Sequence, residues 1–211
     1  MTVAIEWYMQ MRGEPVKLAR VKKPKRVLKH VLSEAEIALF IASAKDVRTR
    51  ALFSVLAYSG ARNEEICKMT MEAVDIGSNT IHISGKGAKD RKACISGACM
   101  EALVAHMQER RAAGAKDGDP LFVTERRGFP MEQQDIRKLI RVYAAKAKIK
   151  KHVHPHLFRH SLATNLLKRG ASLLMIRDQL GHEFLQSTLA YLHVTIEDLK
   201  SDYRRHTPCY M

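Results

Sequence analysis

The chain has 211 residues, 46% of them hydrophobic, and its 36 Lys and Arg against 22 Asp and Glu give a formal net charge of +14. This length allows one full-sized domain with its own core and excludes two large ones. The charge favours nucleic acid as a partner, because neutralised phosphates release their counterions; an ordinary basic surface is the alternative that charge alone leaves open.

The cysteines and the apolar stretches set further limits. The chain lacks a run of the ~20 apolar residues that cross a bilayer, and its amino terminus lacks the basic-then-apolar pattern of a signal peptide. We therefore expect a cytoplasmic protein with no membrane partner. The four cysteines form neither a CxxC pair nor the framework of a small secreted fold, which indicates a reducing compartment and no structural zinc: Cys67, Cys94, Cys99 and Cys209.

A basic segment comes first in chain order. Residues 15–31 (PVKLARVKKPKRVLKHV) hold seven Lys or Arg, two Pro and no acidic residue, a composition typical of an extended strap rather than a packed element. We expect residues 1–31 to form a basic arm that can run along a DNA backbone; a solvated linker is a compatible alternative. The arm residues predicted to bind DNA are Lys22, Lys23, Lys25 and Arg26.

Three helices are predicted next. Residues 33–36 (SEAE) form a capping box that begins a helix running to about Ala44, and with it a domain that we extend over residues 32–211. A second, apolar helix covers roughly residues 48–58 and ends at Ser59-Gly60, and a short helical turn begins at Arg62.

The hydrophobic period then changes to that of strands. Residues 73–76, 80–84 and 92–95 have short strand character, with residues 85–90 (GKGAKD) as a turn between the last two. Further helices are predicted at 97–113, 132–147, 157–169, 172–180 and 184–192, with a last one from Thr195. The predicted fold class is mainly α with a small antiparallel β-sheet, an α+β fold.

Two pairs of side chains three residues apart could meet an anion. His156 and Arg159 share one face of a helix that starts near Pro155, and helix starts bind phosphates readily. Arg62 and Glu65 have the same spacing, so Glu65 could hold the guanidinium of Arg62 while its fork points at an anion. Each motif alone is weak, because ordinary surface residues match it often.

Single residues add to these pairs. Lys86 lies between two glycines at the predicted hairpin tip, where it can approach a ligand closely, although an exposed turn lysine is the ordinary alternative. Lys89 is a second candidate for that role and for DNA binding. Tyr191 follows Leu180-Gly181-His182 by a short distance; a helical tyrosine is usually a core residue, and Tyr203 is its nearby rival.

Taken in order, these motifs resemble the tyrosine recombinase (phage integrase) family over about residues 32–205. Two departures are mild: Ala61 stands where Leu is common, and Leu157-Phe158 occupies positions where an acidic residue is frequent. The resemblance rests on five motifs in the family's order with compatible spacing: residues 59–66 (SGARNEEI), 85–91 (GKGAKDR), 156–160 (HLFRH), 180–182 (LGH) and Tyr191.

The resemblance implies a chemistry for each residue. Tyr191 attacks the scissile phosphate and forms a 3′-phosphotyrosyl link, which a 5′-hydroxyl later reseals. Arg62 and Arg159 contact the non-bridging oxygens, where negative charge grows in the transition state. The remaining implied roles are protonation of the departing 5′ oxygen by Lys86, acceptance of the tyrosine proton by His156 and hydrogen bonding of the phosphate by His182.

The same resemblance implies the partners. The substrate is double-stranded DNA, no metal or nucleotide cofactor is needed, and recombination uses a homo-oligomer of four protomers on two duplexes. Family members typically carry an upstream helical domain that clamps DNA, and the first 31 residues are too few to form it. We therefore expect weak, salt-sensitive DNA binding by this chain alone.

Three other functions are alternatives, and each fits the sequence less well. A metal hydrolase would use the crowded histidines 152, 154, 156 and 160, but the second histidine of HExxH and a nearby acidic cluster are missing. A non-catalytic DNA-binding regulator fits the charge and the short helices around Gly170, yet leaves the motif set unexplained. A type IB topoisomerase shares the chemistry, but the small size and the Gly-His motif resemble recombinases more closely.

Overall fold

The structure, a computed structural model, describes residues 31–85, 90–125 and 128–181. Within these ranges it contains seven α-helices, a short 3₁₀-helix at Met71–Ala73 and one three-stranded sheet. The helices are α1 (Glu34–Ala42), α2 (Val47–Tyr58), α3 (Asn63–Cys67), α4 (Gly97–Ala112), α5 (Gln133–Lys146), α6 (Pro155–Lys168) and α7 (Leu173–Leu180). The strands are β1 (Val74–Asp75), β2 (Thr80–Ile83) and β3 (Arg91–Cys94).

The predicted fold class is confirmed: the described chain is mainly helical, with one small antiparallel sheet. Most boundaries agree with the sequence to within two residues. The helix predicted from residue 157 begins instead at Pro155, because proline without an N–H suits the first helical position and His154 stands before it as the cap. The helices predicted at 184–192 and from Thr195 lie outside the described residues.

None of the helices in the described part of the chain is long and apolar enough to span a membrane.

The capping box predicted at the start of α1 is present. The hydroxyl of Ser33 accepts the N–H of Glu36 at 3.2 Å, and the carboxylate of Glu36 accepts the N–H of Ser33 at 2.7 Å. Asp46 caps α2 in a similar way by accepting the N–H of Thr49 at 2.7 Å. Side chains thus satisfy backbone donors that each helix leaves without an internal partner.

Helix α2 forms the centre of the core. Eight of its twelve residues are buried, and it packs against α1, α4 and α6. The ring of Phe53 on α2 lies 4.4 Å from that of Phe40 on α1, which in turn lies 5.0 Å from Phe158 on α6. Rings that bury this much apolar area dominate a core, so these contacts set where α1 and α6 lie relative to α2.

The sheet has the order β1-β2-β3 with both pairs antiparallel. Ile81 pairs with Val74 on one side and with Ala93 on the other, and all three face the core. This alternation places Arg91, the first residue of β3, on the core-facing side at the edge of the apolar cluster, where α7 also packs.

The start of the described chain is fastened to α6. Leu32 is fully buried, and its N–H donates to the hydroxyl of Ser161 at 2.8 Å. Lys151, in the loop before α6, donates to the carbonyl of Val31 at 2.8 Å and to Glu36 at 2.6 Å. Leu32 is therefore part of the packed fold, and Val31 bonds to it.

Gly60 makes the turn that leads from α2 to α3. Its φ of +65° lies in the left-handed region, which side chains other than glycine rarely adopt. A Cβ at this position would lie 2.5 Å from Cδ2 of Leu180 and 3.2 Å from Cδ2 of Leu162. The turn can therefore pack directly on α6 and α7 only because no side chain separates them.

We predict that Gly60→Ala lowers the free energy of unfolding by about 2–4 kcal/mol, from backbone strain plus overpacking against Leu180. Gly114→Ala is the matched control, because Gly114 also has a positive φ but open space around it, and should cost about 1–2 kcal/mol. Urea denaturation measures both values. Equal losses in the two variants would show that the contact with Leu180 contributes nothing.

Candidate functional site

The structure describes four of the sequence-predicted site residues: Arg62, Glu65, His156 and Arg159. The others lie outside the described residues, namely Lys86, Lys89, His182 and Tyr191 of the site and Lys22, Lys23, Lys25 and Arg26 of the basic arm. Three of these positions adjoin described chain: Gly85 precedes Lys86, Asp90 follows Lys89, and Gly181 precedes His182.

Arg62 and Glu65 are joined as the sequence predicts. Arg62 is the cap residue of α3, and its Nη1 donates to Oε1 of Glu65 at 2.8 Å while its backbone N–H donates to Oε2 at 2.7 Å. The Glu65 side chain is only 8% exposed, whereas that of Arg62 is 45% exposed. The carboxylate thus holds a guanidinium whose outer part faces solvent, where it can meet an anion.

A second arginine holds Glu65 from the other side. Arg91, at the start of β3, donates from Nη1 to Oε1 at 3.1 Å and from Nη2 to Oε2 at 2.9 Å, and its side chain is 10% exposed. Burial alone would raise the pKa of Glu65, but the hydrogen bonds and charge of Arg91, together with the hydrogen bonds of Arg62, lower it to about 2. Glu65 is therefore ionised at neutral pH.

Arg159 lies deeper, on α6. It is 4% exposed, and it donates from Nη1 to the carbonyl of Gly60 and from Nη2 to the carbonyl of Leu180 at 2.6 Å. Gly60 lies two residues before Arg62, and Leu180 lies two residues before His182. The buried guanidinium therefore joins the two chain segments that lead into these predicted site residues.

The end of α7 is held to the sheet by the side chains of Arg91 on β3 and of Gln179 on α7 itself. The left-handed Gly181 ends this helix, and a Cβ there would lie 2.6 Å from Cδ of Arg91. Arg91 Nε also donates to the carbonyl of Gln179 at 3.3 Å. The buried amide of Gln179 in turn accepts the N–H of Cys94 at 3.0 Å and donates to its carbonyl at 2.8 Å.

These contacts form a closed ring. Hydrogen bonds lead from Arg62 through Glu65 and Arg91 to the end of α7, and from there through Arg159 to Gly60. The backbone from Gly60 to Arg62 closes the ring. The ring contains three guanidiniums and one carboxylate, so it carries an excess of two positive charges. Such an excess, partly buried and held in place, stabilises an anion more strongly than the same charges on an exposed surface.

His156 lies in the first turn of α6 and is exposed. Its ring is 6.5 Å from that of His154, which is 5.5 Å from that of His152. Burial and the neighbouring His152 and His156 lower the pKa of His154, and burial with His156 and Arg159 lowers that of His160. At neutral pH this lowering favours the uncharged imidazole, the form that can accept a proton.

Among residues 31–85, 90–125 and 128–181, no three His, Cys, Asp or Glu side chains come together in a way that could hold a metal ion.

Sequence reasoning gave no role to Arg91 or Gln179. Arg91 is the last residue of the motif 85–91. Only the folded chain shows that it reaches Glu65, 26 positions away. Gln179 bonds Cys94 across 85 positions. Contacts over such distances leave no periodic signal in the sequence, and an alternation or capping pattern could not have found them.

The chain is similar in sequence to known proteins. The sequence profile described as the phage integrase family matches residues 26–198. The protein "Tyrosine recombinase XerC" of Bacillus subtilis (strain 168) is 34% identical over 194 residues, which cover 89% of this chain and 64% of that protein. The protein of the same name from Halalkalibacterium halodurans is 34% identical over 96% of this chain and 69% of its own length. The chain thus spans about two thirds of these relatives.

Solved structures agree with the sequence comparison. The crystal structure of XerA recombinase is 33% identical, with a TM-score of 0.75 over 89% of this chain and 68% of that one. The structure of XerH recombinase bound to its difH substrate has a TM-score of 0.72 at 23% identity, covering 90% of this chain and 57% of that one, a likeness that shows the shared fold.

The pKa of Glu65 predicts how stability depends on pH. Because the pKa is lowered on folding from 4.5 to about 2, ionised Glu65 stabilises the fold above about pH 4.5, and this stabilisation is lost as the pH falls from there towards 2. The difference in free energy of unfolding between the unmodified chain and Glu65→Gln should therefore shrink by on the order of 2 kcal/mol between about pH 7 and about pH 3.

Urea denaturation at a series of pH values measures this difference. Glu34→Gln is the control, since Glu34 makes a similar two-pronged pair with Arg169 at 2.8 and 2.7 Å but on the exposed surface, where solvent screening leaves little stabilisation to lose. A difference for Glu65→Gln that does not change with pH would mean that its pKa is not lowered in the fold.

Proposed function

The chain belongs to the phage integrase family, and from this premise we propose that it cleaves and rejoins DNA strands at specific sites through a covalent 3′-phosphotyrosyl intermediate. The observation that carries the proposal is the ring around Glu65. Its excess of two positive charges, with Arg62 partly open to solvent and Arg159 buried, suits the extra negative charge that a phosphate gains when a nucleophile attacks it.

The proposed reaction needs only groups of this chain and DNA. The hydroxyl oxygen of Tyr191 forms a bond to the scissile phosphorus while the bond from phosphorus to the 5′ oxygen breaks. His156 takes the tyrosine proton, and Lys86 gives a proton to the departing 5′ oxygen. Rejoining reverses these steps with a 5′-hydroxyl as the nucleophile, so the phosphotyrosyl bond conserves the energy of the original phosphodiester.

The surroundings of the site residues that the structure describes suit the roles proposed for them. The exposed position of His156 in the first turn of α6 leaves its imidazole open to an incoming tyrosine. Arg62 reaches solvent from the same ring of contacts that holds Arg159, so both guanidiniums serve one phosphate. We propose that His182, two residues after the carbonyl that Arg159 holds, hydrogen-bonds the same phosphate.

We propose double-stranded DNA as the substrate and a tetramer on DNA as the recombining assembly, with the chain acting in the cytoplasm. Residues 32–211 would form the catalytic domain and residues 1–31 a basic arm along the DNA backbone. Burial of Leu32 and its bond to Ser161 on α6 support a packed domain that already includes Leu32. The net charge of +14 supports the choice of a polyanionic partner.

The nucleophile is tested by Tyr191→Phe on a nicked suicide substrate, which loses its 5′ end after cleavage and so traps the covalent adduct. We expect adduct formation to slow by at least about a thousandfold, because no other group replaces the nucleophile. Denaturing gel electrophoresis of labelled DNA measures the adduct. Tyr203→Phe, the control, should form it at the normal rate, and addition of a chelator should have no effect.

An unmodified chain that binds DNA at saturation but forms no adduct would support the non-catalytic DNA-binding regulator instead. An adduct that survives Tyr191→Phe but not Tyr203→Phe would move the nucleophile to Tyr203.

The role of Arg62 is tested by Arg62→Ala. Glu65 keeps its two bonds to Arg91 in this variant, so the fold should persist while adduct formation slows about 100–1,000-fold. A substrate with a methyl group in place of one non-bridging oxygen of the scissile phosphate needs less charge stabilisation, and on it the defect should shrink. Lys68→Ala is the control, since Lys68 on the same turn forms an exposed pair with Glu64.

An equal defect on both substrates would contradict the assignment of Arg62 to the non-bridging oxygens. A normal rate for Arg62→Ala would remove it from the site.

A further inference from the structure

We propose that Arg91 is a positioning residue of the cleavage site: it holds the Arg62–Glu65 pair and the Gly181 turn in one fixed arrangement. This inference rests on the proposed function, because it assigns a residue to the same site. It adds a residue to which sequence reasoning gave no role and which acts through its neighbours rather than on the phosphate.

The side chain of Arg91 joins α3 to α7. The Nη1 and Nη2 atoms of Arg91 hold Glu65 on α3 at 3.1 and 2.9 Å, and its Nε donates to the carbonyl of Gln179 on α7 at 3.3 Å. Its own backbone begins β3, and Lys86 lies five positions earlier in the sequence. A planar fork with three nitrogens can make these contacts at once, whereas the single ammonium of lysine cannot.

Arg91 also packs closely on Gly181. A Cβ at Gly181 would lie 2.6 Å from Cδ and 3.0 Å from Nε of Arg91, so the arginine lies directly against the bare backbone of the turn. Gly181 also has a φ of +64°. The glycine of the Gly-His pair thus serves two needs, a left-handed helix end and a place for Arg91.

Hydrogen bonds of Gln179 hold α7 in place against β3. The amide of Gln179 makes two hydrogen bonds with the backbone of Cys94, in the manner of a neighbouring strand, and a third to the carbonyl of Tyr58 at 3.2 Å. These bonds fix the distance between β3 and the end of α7. Because Arg91 also bonds Glu65, and Glu65 bonds Arg62, these two side chains are held at a fixed position relative to β3 and α7.

The consequence is that the rate of the chemical step should depend on Arg91 more than DNA binding does. Arg91 is 10% exposed, so it contributes little to the surface that meets DNA. A displacement of about 1 Å in a reacting group can slow a reaction about a hundredfold. Loss of the fork should therefore reduce the cleavage rate at saturating DNA.

The test compares Arg91→Lys with Arg110→Lys. Arg110 is a fair control because its Nη2 donates to the carbonyl of Pro120 at 3.0 Å, so it is also a partly buried, hydrogen-bonded arginine, and it lies on α4, outside the ring of contacts. We expect Arg91→Lys to slow adduct formation at saturating DNA about 30–100-fold, with the DNA dissociation constant changed less than about threefold. Arg110→Lys should keep the normal rate.

Hydrogen exchange gives a measurement that does not need activity. In Arg91→Lys, the amides of residues 63–66 and of Gly181 should exchange faster, while those of α4 should not change. If the unmodified chain forms no adduct, the proposed function fails, and the exchange pattern still decides the position-holding role of Arg91.

The inference is overturned if Arg91→Lys cleaves as fast as Arg110→Lys, if its whole defect is a loss of DNA affinity, or if exchange at residues 63–66 and Gly181 stays unchanged. Should Arg91→Lys fail to fold, the unmodified chain provides the test. One arginine that joins α3 to the end of α7 requires the amides of Ile66 and Gly181 to open together, so a Gly181 amide that exchanges much faster than that of Ile66 refutes the link.

Discussion

The buried carboxylate of Glu65 is the constraint on which the arrangement of the site depends. An isolated carboxylate cannot stay ionised in a protein interior without partners, because the loss of hydration is too costly. Glu65 meets this demand with two arginines: Arg62, which caps the helix of Glu65, and Arg91 at the start of β3. The position of the sheet relative to α3 therefore follows from the need to neutralise one acid.

The same pairing explains why so many cations can gather in one place. Arg62, Arg91 and Arg159 would repel each other if only solvent lay between them. Glu65 lies between the first two, and the carbonyls of Gly60 and Leu180 accept hydrogen bonds from the third. The site thus keeps a positive excess for its anion while each guanidinium is held in a defined direction, an arrangement that requires little reorganisation when charge develops on a bound phosphate.

The sequence predicted the local parts of this structure well. Ser33 and Glu36 predict the start of their helix, because a capping box is a pattern within four residues. The Arg62–Glu65 pair is predicted by the spacing of the two residues on one helical turn. No local sequence pattern predicts that Arg91 reaches Glu65 or that Gln179 bonds Cys94, because these contacts form only when distant segments of the chain pack together. The assignments of Lys86, His182 and Tyr191 rest on motif resemblance and remain predictions.

The attachment of the chain start to α6 has a consequence for synthesis on the ribosome. Leu32 bonds Ser161 across 129 positions, and Phe40 packs on Phe158, so α1 lacks much of its packing surface until most of the domain has been translated. Chains emerge at about 5–20 residues per second, so α1 waits several seconds for these partners. Arg62 and Glu65 leave the ribosome early, but the segment that completes their ring, Gln179 to Gly181, comes last. A truncated nascent chain therefore carries the charges of the site without the assembled site.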